Sequence, residues 1–446
     1  MILLKQNFVS KDDINLVLAG LGEFFRQMQA NQKFTAGDLK DFMEPIFERA
    51  GYRAARRIDE QTNILIIHDS GVGDFVNKSA AIREIRRIYP TAHITLVVYP
   101  RALDLAEHCP YVDEIIPNGR ECDWHSLLEI YRWNAGLAQR LLRRRIDIVY
   151  AFTQYPSTIL LSYMSGARER VSYKFTPEDG GIECGPFYVF SPLLTIEVPH
   201  QLYGTHSVEN SLALVDYTLH APVVNREAEV WFTPLDLHGT EQLVIKDINE
   251  GRKIYALCMG GTAPRKQWPP QNYAKLAKKI LGREPKIKFV ILGGGPMDEQ
   301  SVAVFKQTLG DKMFDKHVID LTNKVNFRQS AAILSLCSLY IGNDTGTMHM
   351  AAAVKTPVLM LHYFAADLPH HDHTAPKTDY PYHVPSVTVQ PKHALDQCRE
   401  SKDHYGCIVV DRPHCIAQIT VETAFDAYNQ LKKRIAEGNI EPLFIN

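Results

Sequence analysis

The chain has 446 residues and a mass of 50.6 kDa, a length that at roughly 150 residues per domain predicts two to three domains. Apolar residues make up 45% and charged residues 22%, which excludes a disordered chain, and 49 basic against 51 acidic residues leave a net charge of −2 and no electrostatic footprint for nucleic acid. No apolar leader opens the sequence and no stretch approaches the ~20 apolar residues of a membrane span, so the expected location is the cytoplasm.

Residues 1–60 read as a helical N-terminal extension. Apolar residues recur at helical spacing from Asp12 to Met28, with Ser10 placed to cap, and Thr35 can cap a second helix carrying Phe42, Ile46 and Phe47. The segment holds no recognisable chemistry and is expected to be an accessory layer or an oligomer contact.

From residue 63 short β-branched runs alternate with amphipathic helices. The runs are Ile64–His68, Ile94–Tyr99, Glu114–Pro117 and Asp147–Phe152, separated by helical stretches such as Lys78–Ile88 and Trp124–Arg145. The theme restarts with Ile254–Gly260, Lys288–Gly294, His317–Leu321, Leu339–Asn343 and Pro357–Tyr363. Continuous apolar strands joined by helical crossovers predict parallel sheets covered on both faces. The stretch from about 174 to 250 holds Pro177, Pro186, Pro192, Pro199, Pro222 and Pro234 and reads as an irregular linker; Val421–Glu437 reads as a helix. The expected organisation is a first Rossmann-like domain over 61–240, a second over 241–425, and a C-terminal helix and tail over 426–446. Ligands of such folds sit at the carboxyl ends of the strands, and a cleft between two such domains is a natural site.

Those strand ends carry the candidate chemistry. The first strand runs into His68-Asp69-Ser70-Gly71-Val72-Gly73-Asp74, with a helix expected to begin near Phe75. Gly71 and Gly73 allow close approach of backbone to a ligand. The segment is not a dinucleotide GxGxxG, because Val76 stands at the third glycine position. Asp74 reads either as a general base or as the cap of the following helix. The second domain opens on Gly260-Gly261-Thr262-Ala263-Pro264-Arg265-Lys266, a glycine pair, a hydroxyl and two cations suited to a diphosphate, or else a solvated basic loop. Beyond the turn Gly293-Gly294-Gly295-Pro296, Asp298 or Glu299 can meet a ribose hydroxyl. The strongest motif is Asn343-Asp344-Thr345-Gly346-Thr347-Met348-His349 leading into an Ala-rich helix, whose first amides and dipole suit a phosphate.

ILIIHDSGVGDFV, AAIREIRRIYPTAHITLVVYP and CPYVDEIIP resemble the opening of glycosyltransferase family 9, the ADP-heptose–lipopolysaccharide heptosyltransferases. GGTAPRKQWPPQNYAKLAKKI, FVILGGGPMDE and YIGNDTGTMHMAAAVKTPVLML resemble that family's donor lobe in the same order, and the match runs over about residues 62–425. The resemblance implies the GT-B fold: two Rossmann-like, doubly wound parallel-sheet domains facing a cleft, here with the helical extension. It implies inverting transfer of heptose from ADP-heptose to a lipopolysaccharide core or related cell-surface glycan, with no cofactor required and no metal. It further implies Asp74 as the base that deprotonates the acceptor. Thr262, Lys266, Asp344, Thr345, Gly346, Thr347 and His349 would hold the donor, Glu299 would meet the nucleoside, and Gly71 and Gly73 would form the acceptor-side loop. A lipid-linked acceptor implies peripheral work at the cytoplasmic face of the inner membrane. The clusters Arg83, Arg86, Arg87 and Arg140, Arg143, Arg144, Arg145 are candidates for docking its phosphates, although solvated helix ends are the simpler reading.

The chain departs from the family pattern in several places. Asn210 in His206-Ser207-Val208-Glu209-Asn210 replaces a usual arginine, and Asp367–His373 replaces a short GPTDP-like loop. Of the eight cysteines, Cys109, Cys122, Cys184, Cys258 and Cys337 are scattered and read as reduced core thiols. Cys398, Cys407 and Cys415, near His393, His404 and His414, offer a structural metal site or a redox pair, but they lack a CxxC pair and the spacing is poor for zinc, so ordinary loop cysteines are the expected reading. The rival functional readings are a non-catalytic nucleotide-sugar or glycan-binding protein on the same fold and a family 9 transferase using another nucleotide sugar. A nicotinamide oxidoreductase is disfavoured, because neither domain has a complete GxGxxG with a correctly spaced acid.

Overall fold

The computed structural model describes residues 9–31, 35–54, 61–118, 127–153, 155–174, 187–199, 205–219, 221–368, 376–400 and 411–446. It divides into two compact units: Met1–Gly71, Ala80–Gln201 and Glu209–Arg226 form the first, and Val72–Ser79, Leu202–Val208 and Glu227–Asn446 the second.

The first unit is built on a six-stranded sheet, β1 (Asn63–His68), β2 (His93–Val98), β3 (Glu114–Pro117), β4 (Ile148–Ala151), β5 (Glu169–Tyr173) and β6 (Ile196–Val198), in the order β3-β2-β1-β4-β5-β6. Every pairing is parallel. This is the strand order of a dinucleotide-type doubly wound fold. Ile64 to Ile67 are fully buried, as a sheet covered on both faces requires.

The N-terminal extension belongs to this unit's core. In helix α1 (Lys11–Asn31) the Ser10 hydroxyl accepts the Asp13 amide, and in α2 (Ala36–Arg49) Thr35 and Asp38 form a reciprocal capping box. Val17, Leu21, Phe24, Phe25, Met43 and Phe47 share one apolar cluster with Leu65 and Ile67 of β1 and with the helices Leu127–Leu142 and Pro156–Met164. Phe25 stacks on Tyr131 at 4.0 Å, and Phe47 meets Tyr163 edge-on at 5.4 Å. Arg53 forks onto both Glu44 oxygens at 2.7 and 2.9 Å while donating to the Gly166 carbonyl. Burying each phenylalanine is worth about 1.5–3 kcal/mol, so these helices act as a structural layer of the unit.

The stretch read as an irregular linker is more regular than its prolines suggest. It contributes β6, the helix Ser207–Leu219 and the helix Pro234–Asn249, whose first helical residue is Pro234. Proline costs nothing at that first position, where its missing N–H would be unbonded anyway. β5 was also not anticipated; its polar residues Glu169, Arg170 and Ser172, the last two buried, hide the strand pattern.

Arg86 and Arg144, one from each arginine cluster, are engaged within the fold. Arg86 donates to the Tyr111 and Ala92 carbonyls and to Asp113, and Arg144 pairs with Glu114.

The second unit carries seven parallel strands: β7 (Lys253–Cys258), β8 (Ile287–Ile291), β9 (Val318–Asp320), β10 (Leu339–Asn343), β11 (Val358–Leu361), β12 (Ser386–Val389) and β13 (Leu443–Ile445). Their order, β13-β12-β11-β10-β7-β8-β9, repeats the arrangement of the first sheet and adds a strand at one edge. β7 and β10 are hydrogen-bonded neighbours whose chains leave in opposite directions, β7 toward β8 and β10 toward β11. That reversal is where open parallel sheets bind ligands. Among the described residues, no helix is long and apolar enough to cross a membrane.

Candidate functional site

The site lies in the second unit, where the loops following β7 and β10 meet. Asn343, the fully buried last residue of β10, joins them. Its Nδ2 donates to the Met259 and Gly260 carbonyls at 2.8 Å each, and its Oδ1 accepts from the Tyr273 hydroxyl at 2.7 Å and the Trp268 amide at 3.1 Å. All four bonding positions of the side-chain amide are thereby used. Trp268, buried and donating its indole N–H to the Ile419 carbonyl at 2.9 Å, fixes the far end of the loop.

The loop so held delivers Lys266, whose Nζ donates to Asp344 Oδ2 at 3.0 Å and lies 4.9 Å from the centre of the Tyr363 ring. Arg265 lies over the same ring at 5.9 Å. Burial by itself would lower the Lys266 ammonium, but Asp344 and then Tyr363 outweigh it and hold the group above its ordinary value. Burial likewise works against ionised Asp344, yet Lys266, His362 and His349 keep that carboxylate well below the usual range. His362 Nε2 stands 3.7 Å from Asp344 Oδ2. Its Nδ1 accepts the Phe364 amide at 3.0 Å, and burial brings the imidazole down to about 4, so it is neutral with its Nε2–H toward the carboxylate.

Asp344 leads directly into the helix Gly346–Ala353. Beside that helix start lies the beginning of α3 (Val72–Ile88), whose Val72–Ser79 turns belong to this unit. The two approach through glycines: a Cβ on Gly73 would meet His349 Cδ2 at 2.6 Å, and one on Gly346 would meet Val72 Cβ at 3.0 Å. The helix thus starts at Val72, earlier than expected, and Asp74 is the third residue of its first turn. The N-cap is Gly71, with extended backbone and no side-chain bond, so the reading of Asp74 as the cap is replaced by one in which its carboxylate sits on the first turn.

Asp74 has charged company that the motifs did not announce. Lys78, one turn further along α3 and buried, donates to Ser207 Oγ at 3.0 Å, and Asn77 donates to Asp379 Oδ1 at 3.2 Å. Burial, followed by Asp74 and Asp344, pushes Asp379 up to about 8. Burial lowers Lys78 against the pull of Asp74 and Asp379. His349, buried and facing Asp344 and Asp74, is also lowered, chiefly by burial. His206 is held neutral: its Nε2–H donates to the Tyr380 carbonyl at 2.9 Å, its Nδ1 accepts the Val208 amide at 3.1 Å, and burial takes it down to about 3.

Other expected residues stand differently. The hydroxyls of Thr345 and Thr347 bond to one another at 3.0 Å, and Thr347 Oγ1 lies 3.2 Å from Cys258 Sγ, so these side chains are engaged with each other and with the sheet end. Thr262 is exposed on its loop. Asp298 fills the space between two glycine loops, where a Cβ on Gly260 or on Gly293 would meet its carboxylate oxygens at 2.5 Å. Glu299 is exposed and accepts from Asn323 Nδ2 at 2.6 Å, while Asn323 Oδ1 accepts the Gly295 amide at 2.7 Å. In the first unit Glu209 pairs with Arg226, which supplies a cation from elsewhere in the chain in the stretch where Asn210 lacks one. Cys407, His404, Cys122, Cys184, Trp124 and the histidines of Pro369–His373 lie outside the described residues.

The site therefore gathers Lys266, Asp344, His349, His362 and two helix N-termini with Asp74, Lys78 and Asp379. Asn343, His362, Lys78 and Asp379 were missed. Asn343 was visible only as a strand end, and the other three lie in no glycine-rich loop. Two Rossmann-like parallel sheets, the second with a topological switch point between β7 and β10, are the architecture of glycosyltransferases of the GT-B class.

The chain belongs to glycosyltransferase family 9 (heptosyltransferase), whose model matches residues 135–404. It is 22% identical over 304 residues to lipopolysaccharide heptosyltransferase 2 of Salmonella typhimurium, spanning 67% of this chain and 82% of that one. The family 9 glycosyl transferase of Veillonella parvula superposes with a TM-score of 0.64 at 18% identity, covering 83% of this chain and 97% of the other. The ADP-heptose lipopolysaccharide heptosyltransferase II of E. coli does so with a TM-score of 0.61 at 18% identity, covering 84% and 100%. The protein is accordingly a glycosyltransferase, with the fold class that its sequence resemblance implied.

Proposed function

We propose that this protein transfers heptose from ADP-heptose to a lipopolysaccharide core or related lipid-linked saccharide, with inversion at the anomeric carbon. The observation that carries the reading is the Lys266–Asp344 pair at the β7/β10 switch point, beside the amides that open Gly346–Ala353. In the free protein Asp344 neutralises Lys266. A donor diphosphate offers Lys266 a second anionic partner and accepts from the first-turn amides, which stabilises the charge that builds on ADP as the glycosidic bond breaks. Asp74 takes the proton from the acceptor hydroxyl as that oxygen attacks the sugar from the face opposite ADP. Glu299 and Asn323 stand beyond the glycine turn as partners for ribose hydroxyls. The relatives that carry the name heptosyltransferase support the choice of sugar, and the E. coli relative named for ADP-heptose supports the nucleotide.

Calorimetric titration with ADP-heptose, UDP- and GDP-sugars and free ADP, on wild type and Lys266→Ala, tests the donor. Binding confined to the ADP series and weakened in the variant is expected; preference for another nucleotide sugar would overturn the choice of donor. Asp74→Asn is expected to bind ADP-heptose as wild type does and to release no ADP in the presence of acceptor. Normal turnover by that variant would remove Asp74 as the base.

A further inference from the structure

Cys398 and Cys415 are 2% and 3% exposed, packed among Phe364, Ala365, Leu368 and Ala394. Seventeen positions apart in sequence, they are brought together because the helix Asp396–Glu400 and the turn Ile416–Gln418 are tied side by side. Gln418 Nε2 donates to the His393 carbonyl at 2.9 Å, and the Leu395 amide donates to Cys415 Sγ. His414 Nδ1 lies 3.0 Å from Cys415 Sγ, and the ligand atoms of Cys398, His414 and Cys415 all fall within 4.8 Å of one another. In a tetrahedral zinc site, bonds of about 2.3 Å to sulfur and about 2.0 Å to nitrogen place ligand atoms roughly 3.5–3.8 Å apart. The three side chains are therefore within about an ångström of that geometry.

We propose that Cys398, His414 and Cys415 bind one thiophilic divalent cation, Zn²⁺. The two thiols each lose a proton to solvent as the Zn–S bonds form, His414 ligates as the neutral imidazole through Nδ1, and no electron is transferred. Two features favour a metal centre over a pair of inert core thiols. A histidine nitrogen is directed at the sulfurs inside an otherwise apolar pocket, and a backbone N–H is already directed at Cys415 Sγ, as outer partners of metal thiolates are. The cation would clasp 393–400 to 414–418. Asp367 accepts the Ala394 amide at 2.7 Å, so the clasp extends to the segment after β11 that carries His362 and Tyr363. Its role is structural, and it lies apart from the proposed transfer chemistry.

The test uses the full chain purified under reducing, metal-free buffers. Elemental analysis is expected to find one zinc per chain in wild type and in the control Cys109→Ser, and little in Cys398→Ser/Cys415→Ser. X-ray absorption at the zinc edge of the wild type is expected to show two sulfurs and at least one imidazole nitrogen, a readout that stands even if the double variant fails to fold. Cobalt substitution is expected to give thiolate-to-cobalt charge transfer and tetrahedral visible bands, and chelation to lower the melting temperature of wild type while leaving the double variant unmoved. Zinc retained by the folded double variant, an all-oxygen and nitrogen ligand shell, or a Cys398–Cys415 disulfide in anaerobically isolated protein would each overturn the proposal.

Discussion

Gly73 and Gly346 lie against each other at the starts of two helices: a Cβ on Gly346 would stand 3.1 Å from the Gly73 amide nitrogen, and a Cβ on Gly73 would stand 3.3 Å from Gly346 Cα. Neither residue has a left-handed backbone, so what requires glycine is proximity alone. The contact joins the turn bearing Asp74 to the turn that follows Asp344. Gly73→Ala must displace the His349 ring, which a Cβ would meet at 2.6 Å. Overpacking of this kind costs about 1–3 kcal/mol. The expected outcome is a lower urea midpoint with a larger loss in kcat than in donor affinity, measured by ADP release and calorimetry.

Lys266→Ala removes the cation proposed to meet the donor diphosphate and leaves Asp344 buried beside a neutral His362. Hydrogen bonds to charged groups are worth about 1.5–3 kcal/mol, so ADP affinity should fall by roughly 10- to 150-fold. Lys266→Met, which keeps the stem over Tyr363, should fall equally if the charge is what matters.

Asn343→Leu strips partners from four buried or half-buried groups at once. With about 1–3 kcal/mol for each buried group left unbonded, a loss of about 3 kcal/mol or more is expected. Because Trp268 sits at the end of the same loop, its fluorescence should report loosening of the loop below the global unfolding transition.

Asp379 supplies a pH signature. Its folded-state value, about 8, lies above its unfolded one, so its contribution to stability is complete at low pH and is lost as pH rises through about 8. The contribution is complete only below the unfolded value, so wild type should lose stability progressively between about pH 4 and about pH 8, and Asp379→Asn should lose less over that interval. Parallel stability curves for the two proteins would mean that Asp379 is already ionised at neutral pH.

Phe47→Ala tests the extension. The ring is fully buried against Tyr52 and Tyr163, so the substitution should cost about 3–5 kcal/mol in a denaturant titration while leaving ADP binding intact.

Much of this was legible because parallel strands buried on both faces announce themselves as apolar runs: β1, β2, β7, β8, β10 and β11 stand out at once. β12, Ser386–Val389, alternates hydroxyl and valine and blends into a proline-rich neighbourhood, while β5 opens on two adjacent charged residues, Glu169 and Arg170. Lys266, Asp344 and His349 were readable since glycines and hydroxyls cluster around strand-end loops. Asp379 was not, because its meaning depends on Asn77 and Lys78, some three hundred positions earlier, and one sequence carries no trace of that juxtaposition. Cys398 and Cys415 were discounted for want of a CxxC pair, a rule that presumes one short loop supplies both thiols. Here a helix and a separate turn supply one each.

The packing of α1 and α2 into the first sheet has a consequence for how the chain is made. Phe24, Phe25 and Phe47 leave the ribosome well before β1 and the helix Pro156–Met164 that cover them. At about 5–20 residues per second, the nascent chain carries two amphipathic helices without their cover for roughly 6–23 seconds. During that interval the same apolar faces that later stabilise the unit are open to holding chaperones and to one another, so yield of native protein should respond to translation speed across the region encoding residues 50–164 more than to codon usage near the donor site.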